Sequence, residues 1–230
     1  SIKPFGTATR AQAAKVFVML SDQPSLPEPD KKPTDGAESG GDNLGDTHDK
    51  PAYAVLYADG LLSLQRGDDT DPAHGEVLGA WQWDGASSPW YEQRDSVRSV
   101  VVRDAVSARG GGVFRGLARC TSMDLARLDV SGATLLDSMF RECSSLEVID
   151  LSSWDTSSVE NFSCMFEGCS SLRELNLAGL DTSRALDLSW MFSGCSALKT
   201  VDVAGWDVHR VESLSAMFRG CVSLETLDLS

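Results

Sequence analysis

From Val113 onward the apolar positions of the chain recur with a fixed period. The segment MFRECSSLEVIDLSSWDTSS, which starts at Met139, returns 26 residues later as MFEGCSSLRELNLAGLDTSR, then as MFSGCSALKTVDVAGWDVHR and MFRGCVSLETLDLS. Two shorter periods alternate inside each unit. In SLEVIDLSSW the L-x-x-[LIV]-x-L spacing sends Leu146, Ile149 and Leu151 to one side of a short strand. Val159, Phe162 and Phe166 then follow at i, i+3 and i+7 with Gly168 behind them, a position repeated by Gly194 and Gly220. That spacing predicts a short helix or 3-10 segment closed by glycine.

The register extends backwards, because Phe114, Leu125, Leu128 and Asp129 fall one period before Phe140, Leu151, Trp154 and Asp155. Rungs are expected to begin near 113, 139, 165, 191 and 217, the fifth cut short at Ser230, so the chain is expected to be a fragment. A period of this length marks a solenoid, in which each unit buries its apolar face only against its neighbours. The predicted fold class is α/β, a right-handed, leucine-rich-repeat-like solenoid over 113–230 behind a β-rich cap over 51–112.

In the cap, AYAVLYADGLLSLQRG places two β-rich runs around Asp59-Gly60, which predicts a hairpin over 52–66. EVLGAWQWDG and DSVRSVVVRDAV are further candidate strands, and Trp81, Trp83, Trp90 and Tyr91 are read as packing residues in preference to a sugar platform. Residues 21–50 are rich in proline and glycine, carry eight acids against three lysines, and are expected to be a solvated linker. The DNLGDTHD run within them lacks the spacing of an EF-hand loop. Thr9 and Gln12 have capping-box spacing ahead of an apolar run, which predicts a helix over about 10–20, part of a 1–20 segment.

Charge narrows the choice of partner. The 34 acids against 20 bases give a net charge of −14, which repels phosphate backbones and anionic membrane surfaces and argues against nucleic acid. No run approaches the roughly 18 apolar residues of a spanning helix, and Ser1 opens no signal sequence, so any leader or anchor is expected outside this chain. His48, His74 and His209 have no second motif to join them to a nucleophile, and Ser196 and Lys199, although spaced as S-x-x-K, occupy ordinary repeat columns. The tripeptide at Asn161 is a chance sequon, and Gly110 to Gly112 do not form a phosphate loop. A non-enzyme acting as a monomer without a cofactor is expected.

Stacking turns each repeated residue into a column. Cys143, Cys169, Cys195 and Cys221 lie along a line with rungs about 4.8 Å apart, a shape that cannot converge on zinc and whose parallel side chains do not aim at one another for disulfides. They are expected to be buried thiols, with Cys120 on a leucine position serving similarly. Asp129, Asp155, Asp181 and Asp207 precede the second half of each rung, where a carboxylate accepts from backbone N–H groups at a helix start. Asp124, Asp150, Asn176, Asp202 and Asp228 alternate with the inward strand residues and so point to solvent. Like charges about 4.8 Å apart repel by about 0.9 kcal/mol even in water, which invites a cation such as calcium or a basic partner. With Glu147, Arg173, Lys199 and Glu225, which vary from rung to rung, this strand face is either a contact surface or a ladder screened by salt.

The combination of MF-x-G-C, S-L-x-x-[LIV]-[DN]-[LV] and [LW]-D-[TV] resembles the BspA-like leucine-rich repeats of bacterial surface proteins, and AYAVLYADG, WQWDG and PWY are similar to the β-rich region that precedes such repeats. The resemblance implies a secreted or wall-attached protein that binds a protein or glycan at the bacterial surface, with no known catalytic centre. KPFGTATRAQAAKV resembles the closing part of an S-layer homology motif through Pro4, Thr9, Arg10 and Ala11, with Gln12 in place of the usual acid. That resemblance implies Arg10 as a contact for cell-wall polysaccharide. A passive spacer, or an accessory module of a wall-associated enzyme, remains compatible with the same sequence.

Overall fold

The computed structural model describes residues 50–228. The helix expected over 10–20, the linker up to 49 and Arg10 lie outside the described residues.

The cap is organised by one hairpin. β1 (Ala52–Tyr57) and β2 (Leu61–Arg66) pair antiparallel, with Ala54 opposite Leu64 and Leu56 opposite Leu62. Asp59 accepts from the Leu61 amide at 3.0 Å, and Gly60 takes a φ of 93°, which an L side chain rarely adopts. β3 (Val77–Gln82) covers the outer edge of β1, again antiparallel. On its other side β2 receives β4 (Ser99–Val102) in parallel, and β4 receives β6 (Ser122–Asp124), giving the order β3-β1-β2-β4-β6. The hairpin therefore converts antiparallel pairing into the parallel stack that the rungs continue. Leu62 and Leu64 face the main core, while Val55, Tyr57 and Leu61 form a smaller cluster on the opposite face.

The rungs wind into a β-solenoid of short strands. β5 (Val106–Ser107) pairs with β7 (Leu128–Asp129), β8 (Val148–Asp150) with β9 (Glu174–Asn176), and β10 (Thr200–Asp202) with β11 (Thr226–Asp228), all parallel. From Val148 to Asp228 the paired residues are 26 apart, as in Ile149 with Leu175 and Val201 with Leu227. Leu146, Ile149 and Leu151 are buried on the inward side.

The second half of each rung is not the helix or 3-10 segment that the i, i+3, i+7 spacing suggests. It is a run of turns, because Ser138, Cys164, Trp190 and Ala216 have left-handed φ values of 56°, 57°, 59° and 55° within it. The physical reason is competition for backbone amides. A lone helix returns each N–H to the fourth carbonyl before it, but here a stacked neighbour offers carbonyls of its own. Alternate amides cross to the next rung, as Leu136 to Asn161, Ser138 to Ser163, Phe140 to Met165 and Glu142 to Glu167, at 2.7 to 2.9 Å. Those between turn back within the rung, as Met139 to Leu136, Arg141 to Ser138 and Cys143 to Phe140. Gly168, Gly194 and Gly220 (φ 77°, 77° and 76°) are a second left-handed position in this pattern, which Glu142 occupies at φ 64°.

The core is an aromatic ladder with aliphatic sides. Phe114, Phe140, Phe166, Phe192 and Phe218 stack with centroids 5.3 to 5.8 Å apart and rings within 12° of parallel. Trp90 closes the ladder at 6.4 Å from Phe114, with Trp83 beyond it at 6.0 Å. Trp154 and Trp206 brace Phe140 and Phe192 from the strand side. Each offset stack adds attraction to the area it buries.

Candidate functional site

The strand face brings the expected columns together. Glu147 pairs with Arg173 at 3.2 Å and Lys199 with Glu225 at 3.9 Å, all four exposed. β9 and β10 share no ladder, and this lapse coincides with the place where Arg173 and Lys199, of like charge, follow each other in the column.

The carboxylates beside them act within their own rungs. Asp124 accepts from the Ala126 amide at 3.3 Å, Asp150 from Ser152 at 2.9 Å, Asn176 from Ala178 at 3.2 Å and Asp202 from Ala204 at 3.0 Å. Each side chain closes a turn two residues long, and in the aspartates the second carboxylate oxygen takes no part in that turn. The Asn176 amide does the same work uncharged, which separates turn closure from charge. Asp228 contributes its backbone to β11 opposite Asp202.

The second aspartate column accepts from backbone N–H groups as expected, but at a turn and not at a helix start. Asp129 bonds Ser131, Asp155 bonds Ser157, Asp181 bonds Ser183 and Asp207 bonds His209, each through the amide two residues on. Side-chain and then backbone hydrogen bonds from Ser131 hold the Asp129 carboxyl below its ordinary range, and Ser157 does so for Asp155. The His209 side chain, followed by its amide, lowers Asp207.

A third column of this kind was missed in the sequence. Asn161 accepts from Ser163 and Asp187 from Ser189, both at 2.8 Å, on the side where isolated bridges join Leu135, Asn161, Asp187 and Ser213. Its signal is a polar residue two before a serine, which Ser213 continues by accepting from the Ser215 amide at 3.4 Å and which Leu135 breaks.

The cysteine column is a hydrogen-bonded ladder. Cys143, Cys169, Cys195 and Cys221 direct their Sγ to the carbonyls of Phe114, Phe140, Phe166 and Phe192 at 3.0 to 3.2 Å. Each of those last three carbonyls also takes an amide of its own rung, so the thiol fills the second lone pair of a carbonyl in the core. All six cysteines are free, and burial raises their pKa, to about 12 for Cys120 and about 11 for the half-buried Cys164. These thiols are not poised nucleophiles.

The other candidates are local. His74 Nδ1 lies 2.7 Å from Asp59 in the cap, and His209 is bonded to Asp207 of its own rung. The Ser196 hydroxyl donates to the Ser170 carbonyl at 3.1 Å, continuing a hydroxyl ladder from Ser144 and Ser170, and Lys199 is occupied by Glu225. Among the described residues no group of three or more His, Cys, Asp or Glu side chains is placed to hold a metal ion. Among them, too, no helix is long and apolar enough to cross a membrane.

Parallel strands in 26-residue register, an aromatic ladder and polar columns define a stacked-repeat β-solenoid whose exposed chemistry lies on the faces of its rungs. The chain belongs to the family described as "Mycoplasma protein of unknown function, DUF285", which matches residues 112–229. Among solved structures it is similar to a leucine-rich repeat protein from Eubacterium ventriosum, with 16% identity and a TM-score of 0.34 over 71% of this chain and 43% of that one. The chain thus spans less than half the length of that relative. No curated protein matches it.

Proposed function

We propose that the chain is a non-catalytic recognition module of a bacterial surface protein, with right-handed, leucine-rich-repeat-like rungs of the BspA type that bind a protein or glycan through the strand face. The observation that carries this reading is a contrast within the strands. The inward positions repeat, whereas the outward ones read Glu147, Arg173, Lys199 and Glu225 in one column and Val148, Glu174, Thr200 and Thr226 in the next. Packing asks for the first set to be uniform. It makes no demand on the second, so a varied set, exposed except for the half-buried Val148, is available for selection by a ligand.

The adjoining Asp124, Asp150 and Asp202 each keep an oxygen free of the turn they close, and calcium is the cation such oxygens would take. Secretion or attachment to the wall belongs to this proposal. A second reading, a spacer that holds another domain away from the wall, is favoured by the fact that the same carboxylates already serve their own turns.

The test is binding of the 230-residue chain to arrayed matrix proteins and glycans, with and without calcium. Saturable binding that is lost in the Asp150→Ala, Asp202→Ala double variant supports recognition by this face. A blank from a folded sample favours the spacer. Binding that the double variant leaves intact, together with any calcium response, removes the strand face from the proposal.

A further inference from the structure

Both parts of the molecule pair some of their cations: in the cap Lys50 takes Asp69 at 3.1 Å and Arg103 takes Asp71 at 3.2 Å, while Arg127, Arg210 and Arg219 in the rungs have no carboxylate within 4.0 Å among the described residues. In the rungs Arg141 pairs with Glu167 at 3.0 Å, Arg173 with Glu147 at 3.2 Å, Arg184 with Glu160 at 4.0 Å and Lys199 with Glu225 at 3.9 Å, each a carboxylate one rung away. Where the cap meets the first rung, Arg94, Arg98, Arg115 and Arg119 have no carboxylate within 4.0 Å among the described residues.

Two of these arginines are nevertheless held in place. Arg94 donates to the Tyr91 carbonyl at 2.8 Å with its guanidinium 4.3 Å from the Tyr91 ring centroid, and Arg98 donates to the Asp95 carbonyl at 2.7 Å. A carbonyl orders a guanidinium without neutralising it, so the charge is both fixed and uncompensated.

The four belong to one edge. The Arg94 side chain lies against Gly116, where an added Cβ would come within 3.3 Å of it, and Gly116 follows Arg115. The Arg98 carbonyl accepts the Thr121 amide at 2.9 Å, which brings it beside the turn carrying Arg119. Arg98, Arg115 and Arg119 are exposed, and so is Tyr91 at 39%. Glu92 and Asp95 on the same turn reduce the positive charge without cancelling it. Residues 91–127 carry seven arginines, of which Arg103 is paired with Asp71 at 3.2 Å, against Glu92 and three aspartates, whereas 142–228 carry fourteen acids against five bases. At physiological salt the Debye length is about 8 Å, so this edge presents its own sign despite the net −14.

We propose that this edge is a binding site for an acidic glycan, with the arginines taking its sulfate or carboxylate groups and the part of Tyr91 that Arg94 leaves uncovered packing on the apolar face of a sugar ring. The exposed aromatic amid the arginines favours a sugar over an acidic peptide, because a pyranose has a C–H face to lay on a ring and a string of carboxylates does not. This site lies off the strand face and does not depend on the reading of that face.

The experiment titrates the 230-residue chain with a heparin-derived oligosaccharide and with an oligogalacturonate, with neutral dextran as control and poly-glutamate as competitor. The expected result is saturable, salt-sensitive binding to at least one acidic saccharide. Affinity should fall about tenfold or more in the Arg98→Gln, Arg115→Gln, Arg119→Gln triple variant, fall also in Tyr91→Ala with the salt dependence kept, and stay unchanged in the Asp150→Ala, Asp202→Ala variant. Because heparin carries carboxylates as well as sulfates, binding to it alone assigns recognition to sulfate, and binding to the oligogalacturonate as well shows that carboxylate suffices. No binding to either, equal binding to dextran, equal competition by poly-glutamate, or full affinity in the triple variant overturns the proposal. If the triple variant fails to fold, Arg115→Gln alone replaces it, and unchanged affinity there overturns the proposal equally.

Discussion

The cap and the rungs solve the same problem by opposite means. Each must satisfy buried polar groups around one continuous core, which runs from Ala54 to Met217. In the cap the solutions are individual: the Ser63 hydroxyl donates to Gln65 at 2.8 Å, the Asp71 amide to the Tyr57 hydroxyl at 3.0 Å, and Trp83 Nε1 to the Ser87 carbonyl at 2.8 Å. In the rungs one solution is copied. A thiol on the preceding rung's phenylalanine carbonyl, a serine on the preceding rung's carbonyl, and a threonine such as Thr156 on the Asp181 carbonyl recur along the axis. The difference teaches that translation makes a single residue choice sufficient for several junctions, and that the cap, which among the described residues has no translational neighbour on its outer side, needs a different residue for every contact.

The largest break in this comparison should come from the ladder that both regions share. Phe166→Ala removes a buried ring stacked on Phe140 and Phe192 and should cost about 3–5 kcal/mol in reversible urea unfolding. Trp90→Ala, at the cap end, where Trp83 and Phe114 lie farther off at 6.0 and 6.4 Å and less parallel, should cost less than the ring in the middle. Equal losses would mean that the ladder is not a stack of independent junctions.

The thiols offer a smaller test. Cys169→Ala leaves the Phe140 carbonyl with one partner in place of two and should cost about 1 kcal/mol, whereas Cys169→Ser keeps a donor. Because burial raises the thiol pKa above the ordinary 9.0, the unfolded chain releases these protons first. Stability from the thiols is therefore fully present below pH 9 and is lost as pH rises toward the folded values, about 12 for Cys120. Unfolding against pH between 8 and 11 should show this decline, and a variant with the column cysteines replaced by alanine should flatten it. Six thiols should react with Ellman's reagent after denaturation without reductant.

The smallest effect expected is a gain. Glu142 holds at φ 64° the position that Gly168, Gly194 and Gly220 fill, so Glu142→Gly should stabilise the first junctions by about 0.5–1 kcal/mol. The glycine gives up only a 3.8 Å approach of the exposed Glu142 carboxylate to Arg141, which contributes little. A loss of stability would show that the repeat's preference for glycine is not conformational.

Reading the 26-residue period was enough to place Leu146, Ile149, Leu151 and the phenylalanines inside and to set the cysteines and both aspartate columns in line, because inward and outward positions follow from spacing along the chain. The hairpin at Asp59-Gly60 was legible for the same reason, since its turn is made by adjacent residues. The helical half was misjudged because the partner of the Phe140 amide is Met165, a residue 25 positions away that no local rule weighs against the fourth residue back. The same distance hid Asn161 and Asp187 as turn-closing residues, the Glu147–Arg173 pair across rungs and the carbonyl-held arginines beside Tyr91.

The sequence by itself determined the repeat, its phase and which side chains enter the core, since burial depends on a period that each rung states for itself. Only the tertiary structure decided where every second amide goes, which residues take left-handed φ and which charges remain uncompensated, because each of those depends on the rung or cap strand that happens to lie alongside.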